Sequence, residues 1–433
     1  MNEGSVFPLE LLEAIIDHLH NDFPALRACS LASRDLLPLT RAHLFSTITI
    51  LGIQYLPGHG IGYTPFLHSH GPLLVCNAPH LSIYVHELHI IDAGMRYPVV
   101  QYYHDNFIRI LKNLSQLRTL RMSNFGLGHQ WTYLPVQIRA AFATTFALPT
   151  LTQLWLSAGL HIDHTFFSHP SIRGIQHLRL HCVLNETPPI SLVVESSQAQ
   201  KTSQRIQLRS LNIAFVPDEI VSSLSNAIDP TGLTHMSIRG FMDRDENFSE
   251  WKMLACVPFL THLKIRACRS PNHSITPAPD VLDFGPLRYL RSLHIVVTFS
   301  VPDPARPLPE PEARRIKARM NPLPWLIQVL HTLGTSNGML EDVTIVLDIE
   351  SVLELPKLEL EEWGELDILL SNLQVPSLTI QATDPAAAVT LSPFTRDTLP
   401  ELWGRRRERL KFHPWTRECE HISGPVFWVW LGG

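Results

Sequence analysis

One six-residue pattern returns along this chain from residue 85 onward: apolar at its first, fourth and sixth positions, polar between them. The clearest copies are Leu151-Thr-Gln-Leu-Trp-Leu156, Leu233-Thr-His-Met-Ser-Ile238 and Leu260-Thr-His-Leu-Lys-Ile265, and others begin at Val85, Leu117, Ile175, Leu208, Leu290, Leu340 and Val375. With 45% of 433 residues hydrophobic, three apolar hits at fixed positions arise by chance about 39 times, so one match carries little weight. The near-identity of the three Leu-Thr copies carries much more. Alternation of this kind makes a short strand with one face buried, its third and fifth residues pointing the other way.

Several copies follow an amphipathic helical stretch across a short loop. Ile220, Val221, Leu224, Ala227 and Ile228 precede Leu233; Trp325, Leu326, Val329, Leu330 and Leu333 precede Leu340; Trp363, Leu366, Leu369, Leu370 and Leu373 precede Val375. Helix, turn and strand in repetition resemble a degenerate leucine-rich-repeat solenoid, whose units each bury an apolar face on their neighbours. The spacing is irregular, from 24 residues (Leu154 to Leu178) to 50 (Leu293 to Val343), and only Cys268 supplies the asparagine or cysteine of a strict repeat's ninth position. Polar inserts account for the unevenness: 195–204, 270–279 and the proline-dense 301–311, which precedes the basic run Arg314-Arg315-Ile-Lys317-Ala-Arg319. Such proline density excludes a strand or helix interior and predicts an exposed polyproline-like loop.

Residues 6–48 follow a different period. Leu11, Leu12, Ile15, Ile16 and Leu19 form a wide helical stripe after Pro8; Asp22 is an N-cap with Pro24 just inside a second helix carrying Leu26, Cys29 and Leu31; Pro38 restarts a short third helix reaching Phe45. Three helices in about 40 residues bury such a stripe poorly by themselves, which leaves two readings: a cap on the larger body, or a surface for another protein.

The stretch Phe7-Pro-Leu-Glu-Leu-Leu-Glu-Ala-Ile-Ile-Asp-His-Leu19, then Leu26-Arg-Ala-Cys-Ser-Leu-Ala-Ser-Arg-Asp-Leu-Leu-Pro38 and Arg41-Ala-His-Leu-Phe45, resembles the F-box motif, most closely that of basidiomycete fungi. It departs from the family pattern at Phe7, in place of leucine, and at Leu36, in place of tryptophan. The resemblance implies docking to the SKP subunit of a cullin–RING ubiquitin ligase through Pro8, Leu12, Ile15, Ile16, Leu19, Leu26, Cys29 and Leu36. It extends faintly to Trp363–Ser371 and to 399–412.

The fold class expected is therefore a small all-α F-box of three helices followed by an α/β leucine-rich-repeat-like solenoid. Its parts are a helical domain over 1–50, a linker over 51–80, a solenoid over 81–413 with a proline-rich insert near 300–324, and a tail over 414–433. The apolar hexamer 426–431 in that tail is far short of the ~20 residues that cross a bilayer and suits a docking segment.

Chemistry is sparse. His177 and His181 lie four apart on an expected strand, about 13 Å from each other, so they do not share an ion. His161, Asp163, His164 and His169 have no recognised zinc spacing. Gly58-His-Gly-Ile-Gly62 lacks the lysine and the strand–loop–helix setting of a phosphate loop. No nucleophile elbow or His-Glu-x-x-His helix occurs, so no catalytic residue, metal or cofactor is assigned and an enzyme is not expected. A net charge of −5 argues against nucleic acid, and scattered cysteines without a Cys-x-x-Cys pair fit reduced thiols in the cytoplasm or nucleus.

Binding is better supported than catalysis. Read across the copies, the outward positions give Thr119, Arg121, Gln153, Trp155, His177, Arg179, His235, His262, Lys264 and His294, a neutral-to-basic strip in an acidic protein. Arg121, Trp155, His177, Arg179, His262 and Lys264 are the candidate target-binding residues, suited to acidic or phosphorylated segments. Equally open is a solvated sheet face with Trp155 covered by a loop. The function expected is that of a non-enzymatic substrate adaptor of an SKP–cullin–F-box ligase; the alternative is a ligase-independent binding scaffold.

Overall fold

The computed structural model describes residues 8–51, 77–91, 104–123, 131, 134–157, 160–162, 166–185, 205–241, 253–268, 284–298, 321–333, 339–348, 362–373, 375–382, 396–406 and 410–414. The greater part of the expected linker, the glycine-rich 58–62, the inserts 195–204 and 270–279, the proline-rich loop with its basic run, and the tail beyond Pro414 lie outside them. Among the described residues no helix is long and apolar enough to cross a membrane. The chain forms two compact units, Met1–Leu208 with Asn226–Ile228, and Arg209–Ser225 with Asp229–Gly433.

The first unit opens with three helices, α1 (Leu9–His18), α2 (Phe23–Ala32) and α3 (Leu36–Leu44). Asp22 caps α2 as its sequence suggests, its carboxylate accepting the Ala25 N–H at 3.0 Å, with Pro24 in the first turn. The third helix begins at Leu36, two residues ahead of Pro38, because a proline in the first turn needs no N–H of its own. The helical period ends at Phe45, and β1 (Thr47–Leu51) is already a strand.

From there the unit builds an open parallel row, β1, β2 (Glu87–Ile91), β3 (Thr119–Ser123) and β4 (Gln153–Ser157), with β6 (His177–His181) beyond β4; the two-residue strands β5 (His161–Ile162) and β7 (Leu184–Asn185) pair separately. Two helices precede strands here, α4 (His104–Asn113) before β3 and α5 (Val136–Phe146) before β4, joined by Phe107 against Phe142 at 5.5 Å.

The second unit repeats the arrangement. Its parallel row is β8 (Ser210–Ala214), β9 (His235–Phe241), β10 (His262–Cys268), β11 (Ser292–Thr298), β12 (Asp342–Asp348), β13 (Ser377–Ala382) and β14 (Leu410–Pro414). Helices α6 (Asp218–Ala227), α7 (Leu323–Leu333), α8 (Trp363–Asn372) and α9 (Pro400–Arg406) run between strands. Leu326, Val329 and Leu330 of α7, and Leu366 and Leu370 of α8, are buried as their spacing requires.

Each strand from β2 to β13 that carries the six-residue pattern begins at its third position, and every first-, fourth- and sixth-position residue of the ten copies is buried, none beyond the 6% of Leu340. Fully burying one such side chain contributes about 1.5–3 kcal/mol, so the pattern is the core of both units.

The second position supplies the stitching. Its carbonyl accepts two N–H groups from the next copy: His86 O from Arg118 and Thr119 at 2.8 and 3.0 Å, Arg118 O from Thr152 and Gln153 at 3.0 Å, Thr234 O from Thr261 and His262 at 2.9 and 3.0 Å. At Pro376, which has no N–H, Glu341 O takes the Ser377 N–H at 3.1 Å and the second bond is lost. This explains two of the three Leu-Thr copies. Thr234 Oγ1 donates to Arg209 O and Thr261 Oγ1 to Thr234 O, at 3.2 and 2.9 Å, so threonine adds a side-chain bond to the backbone stitch.

Candidate functional site

Two surfaces carry candidate residues. The first is the helical head. His43 Nε2 lies 2.9 Å from Asp17, tying α3 to α1, while Thr40 is fully buried with its hydroxyl donating to Leu36 O or Leu37 O. The eight residues that the F-box resemblance marks divide in three ways. Ile16 and Leu26 are 1% and 0% exposed, so they hold the helices together and offer no contact surface. Leu12, Leu19, Cys29 and Leu36 are half-buried; Pro8 and Ile15 are exposed.

Sequence reasoning did not assign the remaining exposed apolar residues, Leu9, Leu11, Phe23 and Leu31, and the last is 89% exposed. The signal was present: where apolar residues occupy neighbouring helical positions, such as 11 with 12 and 15 with 16, one face cannot take both. Pro8, Leu11 and Ile15 follow the i, i+3, i+7 spacing of one outward stripe. Exposed apolar side chains gathered in so short a segment are the usual mark of a protein contact.

The second surface is the outward face of the strands. In the first unit, register aligns the fifth positions of four copies, His89, Arg121, Trp155 and Arg179, and the third positions, Glu87, Thr119, Gln153 and His177. Arg121 Cζ sits 3.6 Å from the centre of the Trp155 ring and Arg179 Cζ 5.2 Å from it, one from each flanking strand. Two guanidinium groups thus cover Trp155. Arg121 Nε is 2.5 Å from Glu87 Oε1. Burial lowers the Arg121 pKa, Glu87 opposes that shift and Arg179 adds to it; an arginine remains charged throughout. His89, buried and 3.0 Å from Ser123 Oγ, has its pKa pushed down to about 4, first by burial and then by Arg121. It is neutral at pH 7.

The structure therefore brings Arg121, Trp155, His177 and Arg179 onto one sheet face. His262 and Lys264 belong to the other unit, at the third and fifth positions of the copy that forms β10. The fifth positions there are Asn212, Ser237, Lys264, His294, Thr344, Thr379 and Lys411, mostly uncharged. His294 is also held neutral, its pKa lowered to about 4 by burial and then by Lys264.

His235 and His262 stack, with ring centres 4.2 Å apart and planes 4° from parallel. Their Nδ1 atoms lie 2.9 and 2.8 Å from Thr234 and Thr261 Oγ1, so an Nδ1–H donating to a hydroxyl that in turn donates to the stitching carbonyl satisfies each group. The adjacent identical Thr-His pairs of the sequence are one stacked unit in space.

Two further groups went unassigned in the sequence. Arg266 Nη2 pairs with the buried Asp348 at 2.5 Å, with Thr298 Oγ1 donating to the same oxygen. Asp367, 3% exposed on α8, accepts the Glu401 and Leu402 N–H groups at 2.9 and 2.7 Å and so caps α9. Both depend on register or packing across tens of residues. Among the described residues no three His, Cys, Asp or Glu side chains gather closely enough to hold a metal ion, while Asp163 and His164 lie outside them. No protein-family model matches the chain, and no curated protein is significantly similar to it.

Proposed function

We propose that the chain is a non-enzymatic substrate adaptor. Its helical head docks onto the SKP subunit of a cullin–RING ubiquitin ligase, and its strand face holds a target protein near a ubiquitin-loaded enzyme. Ubiquitin transfer then depends on proximity, with the covalent chemistry on partner subunits. The observation that carries this reading is the outward stripe on α1, where Leu11 and Ile15 are each 52% exposed ahead of a body whose first-, fourth- and sixth-position repeat residues are buried. The F-box resemblance of residues 6–48 supplies the partner. The basic face around Trp155 suits an acidic or phosphorylated target segment, since guanidinium groups pair with such anions.

Leu36 supports a second reading. With leucine at the position where the F-box pattern has tryptophan, the head would serve a ligase-independent scaffold. Co-purification with SKP and cullin separates the two. The adaptor reading expects both partners to be recovered with the unaltered chain and lost with Ile15→Asp, whose site is exposed and leaves the fold intact. Failure to recover them with the unaltered chain favours the scaffold.

A further inference from the structure

Alongside α5 lies a cavity of about 370 Å³, open to solvent where Val136 and Ala140 are exposed, that neither the head nor the strand face uses. One face of the helix forms a wall, Val136, Arg139, Ala140, Ala143 and Phe146, at the i, i+3, i+4, i+7 and i+10 positions. The space exists because two of those five residues are alanine. The opposite side comes from the 3-10 turns Phe166–Ser168 and Pro170–Gly174, and Trp131 closes one end.

The walls are aromatic and fixed. Trp131 stacks on Phe146 at 6.0 Å and meets Phe166 edge-on at 5.6 Å, while Phe146 meets Phe166 edge-on at 5.8 Å. Against them stands one cation. Arg139 forms no ion pair among the described residues, and its buried Nε has no hydrogen-bond partner there. A buried donor without an acceptor is unfavourable, and a carboxylate is the acceptor a guanidinium matches best. At the rim, His169 Nδ1 lies 2.6 Å from Ser171 Oγ, a further polar pair.

We infer that this cavity is a binding site for a small planar aromatic carboxylate, its ring against the wall made by Trp131, Phe146 and Phe166 and its carboxylate on Arg139. The volume falls in the range of small-molecule sites, about 300–1,000 Å³, and the mixture of apolar walls with one placed charge is their usual composition. The site stands apart from the docking head, so its failure and the failure of the adaptor reading are separate results.

Titration calorimetry of the full chain with 2-naphthoate, and with the neutral 2-naphthylmethanol, tests it. Saturable naphthoate binding is expected, with the neutral analogue weaker by about tenfold or more, the ratio that one charge-assisted hydrogen-bond pair supplies. Arg139→Gln should erase that ratio by weakening naphthoate alone. Ala143→Leu fills the cavity and should abolish binding of both, with the thermal midpoint recorded to show that the chain still folds; Ala140→Leu replaces it if folding is lost. Absence of saturable binding up to millimolar naphthoate, equal affinity for the two compounds, or undiminished naphthoate binding by Arg139→Gln overturns the inference.

Discussion

The helical head and the strand repeats use the same residue types to opposite ends. In the repeats, leucine, isoleucine and valine at the first, fourth and sixth positions are sealed inside, as at Leu120, Leu154 and Leu263. In the head, Leu11 and Ile15 stand half in solvent while Ile16 beside them is buried. A strand stacked between two neighbours has a partner for its whole apolar face. A three-helix segment of about 40 residues has too little interior to cover a stripe that wide, and the surplus becomes surface. The same apolar residue types therefore form core where a neighbour repeats the pattern and exposed surface where none does.

The most severe way to break this contrast is to alter one residue of each kind. Leu154→Ala should destabilise by about 2–5 kcal/mol, through lost transfer energy and the cavity left behind. Ile15→Ala should change stability by no more than about 0.5 kcal/mol, as for other surface positions. Urea unfolding of the two variants measures both, and equal effects would remove the distinction between head and repeats.

Acid should loosen the repeats selectively. The folded-state pKa of His89, about 4, lies below the ordinary 6.5, so between those values the unfolded chain binds the additional proton. The stability this represents is fully present above pH 6.5 and is lost as pH falls towards 4, a change of about 3 kcal/mol at 1.36 kcal/mol per pKa unit. His294 acts in the same direction. His89→Gln should flatten the stability profile over that window, measured by denaturation at successive pH values.

Smaller effects probe the joints between elements. Asp367→Ala leaves the first N–H groups of α9 without their acceptor and should cost about 1–2 kcal/mol, with faster amide exchange at Glu401 and Leu402. Cys182, just past β6, holds a left-handed φ of 51°, where a side chain is strained. Cys182→Gly should gain up to about 1 kcal/mol, read as a higher thermal midpoint.

Much of the fold was legible because its signal is local. Strand position follows from three residues in six, and the near-identical Leu-Thr-His copies turned out to be neighbours in register. Two strands of the parallel rows escaped for physical reasons. Phe45-Ser-Thr-Ile-Thr-Ile50 carries the pattern but continues directly from a helix, and the sequence three residues ahead of Leu410, which pairs with the fourth-position Leu378, has arginine in place of an apolar residue. The helices α4 and α5 were also missed, although Phe107, Ile110, Leu111 and Leu114 hold helical spacing and are buried. Of the candidate sites, alternation identified the outward strand residues. It could not show that Arg121 and Arg179 close on Trp155, because strand register sets that meeting across 34 and 24 residues. Nor could it separate Ile15 from Ile16, since only the packing of α1 decides which faces out.

The central claim is that the exposed stripe of α1 is a docking surface for SKP. Titration calorimetry of purified SKP into the full chain, repeated with a Leu11→Asp and Ile15→Asp double variant, tests it most directly. Saturable binding with a negative heat-capacity change, lost in the double variant while its thermal midpoint holds, is the result the account predicts. Binding of equal affinity by the double variant, or no binding by the unaltered chain, would contradict it.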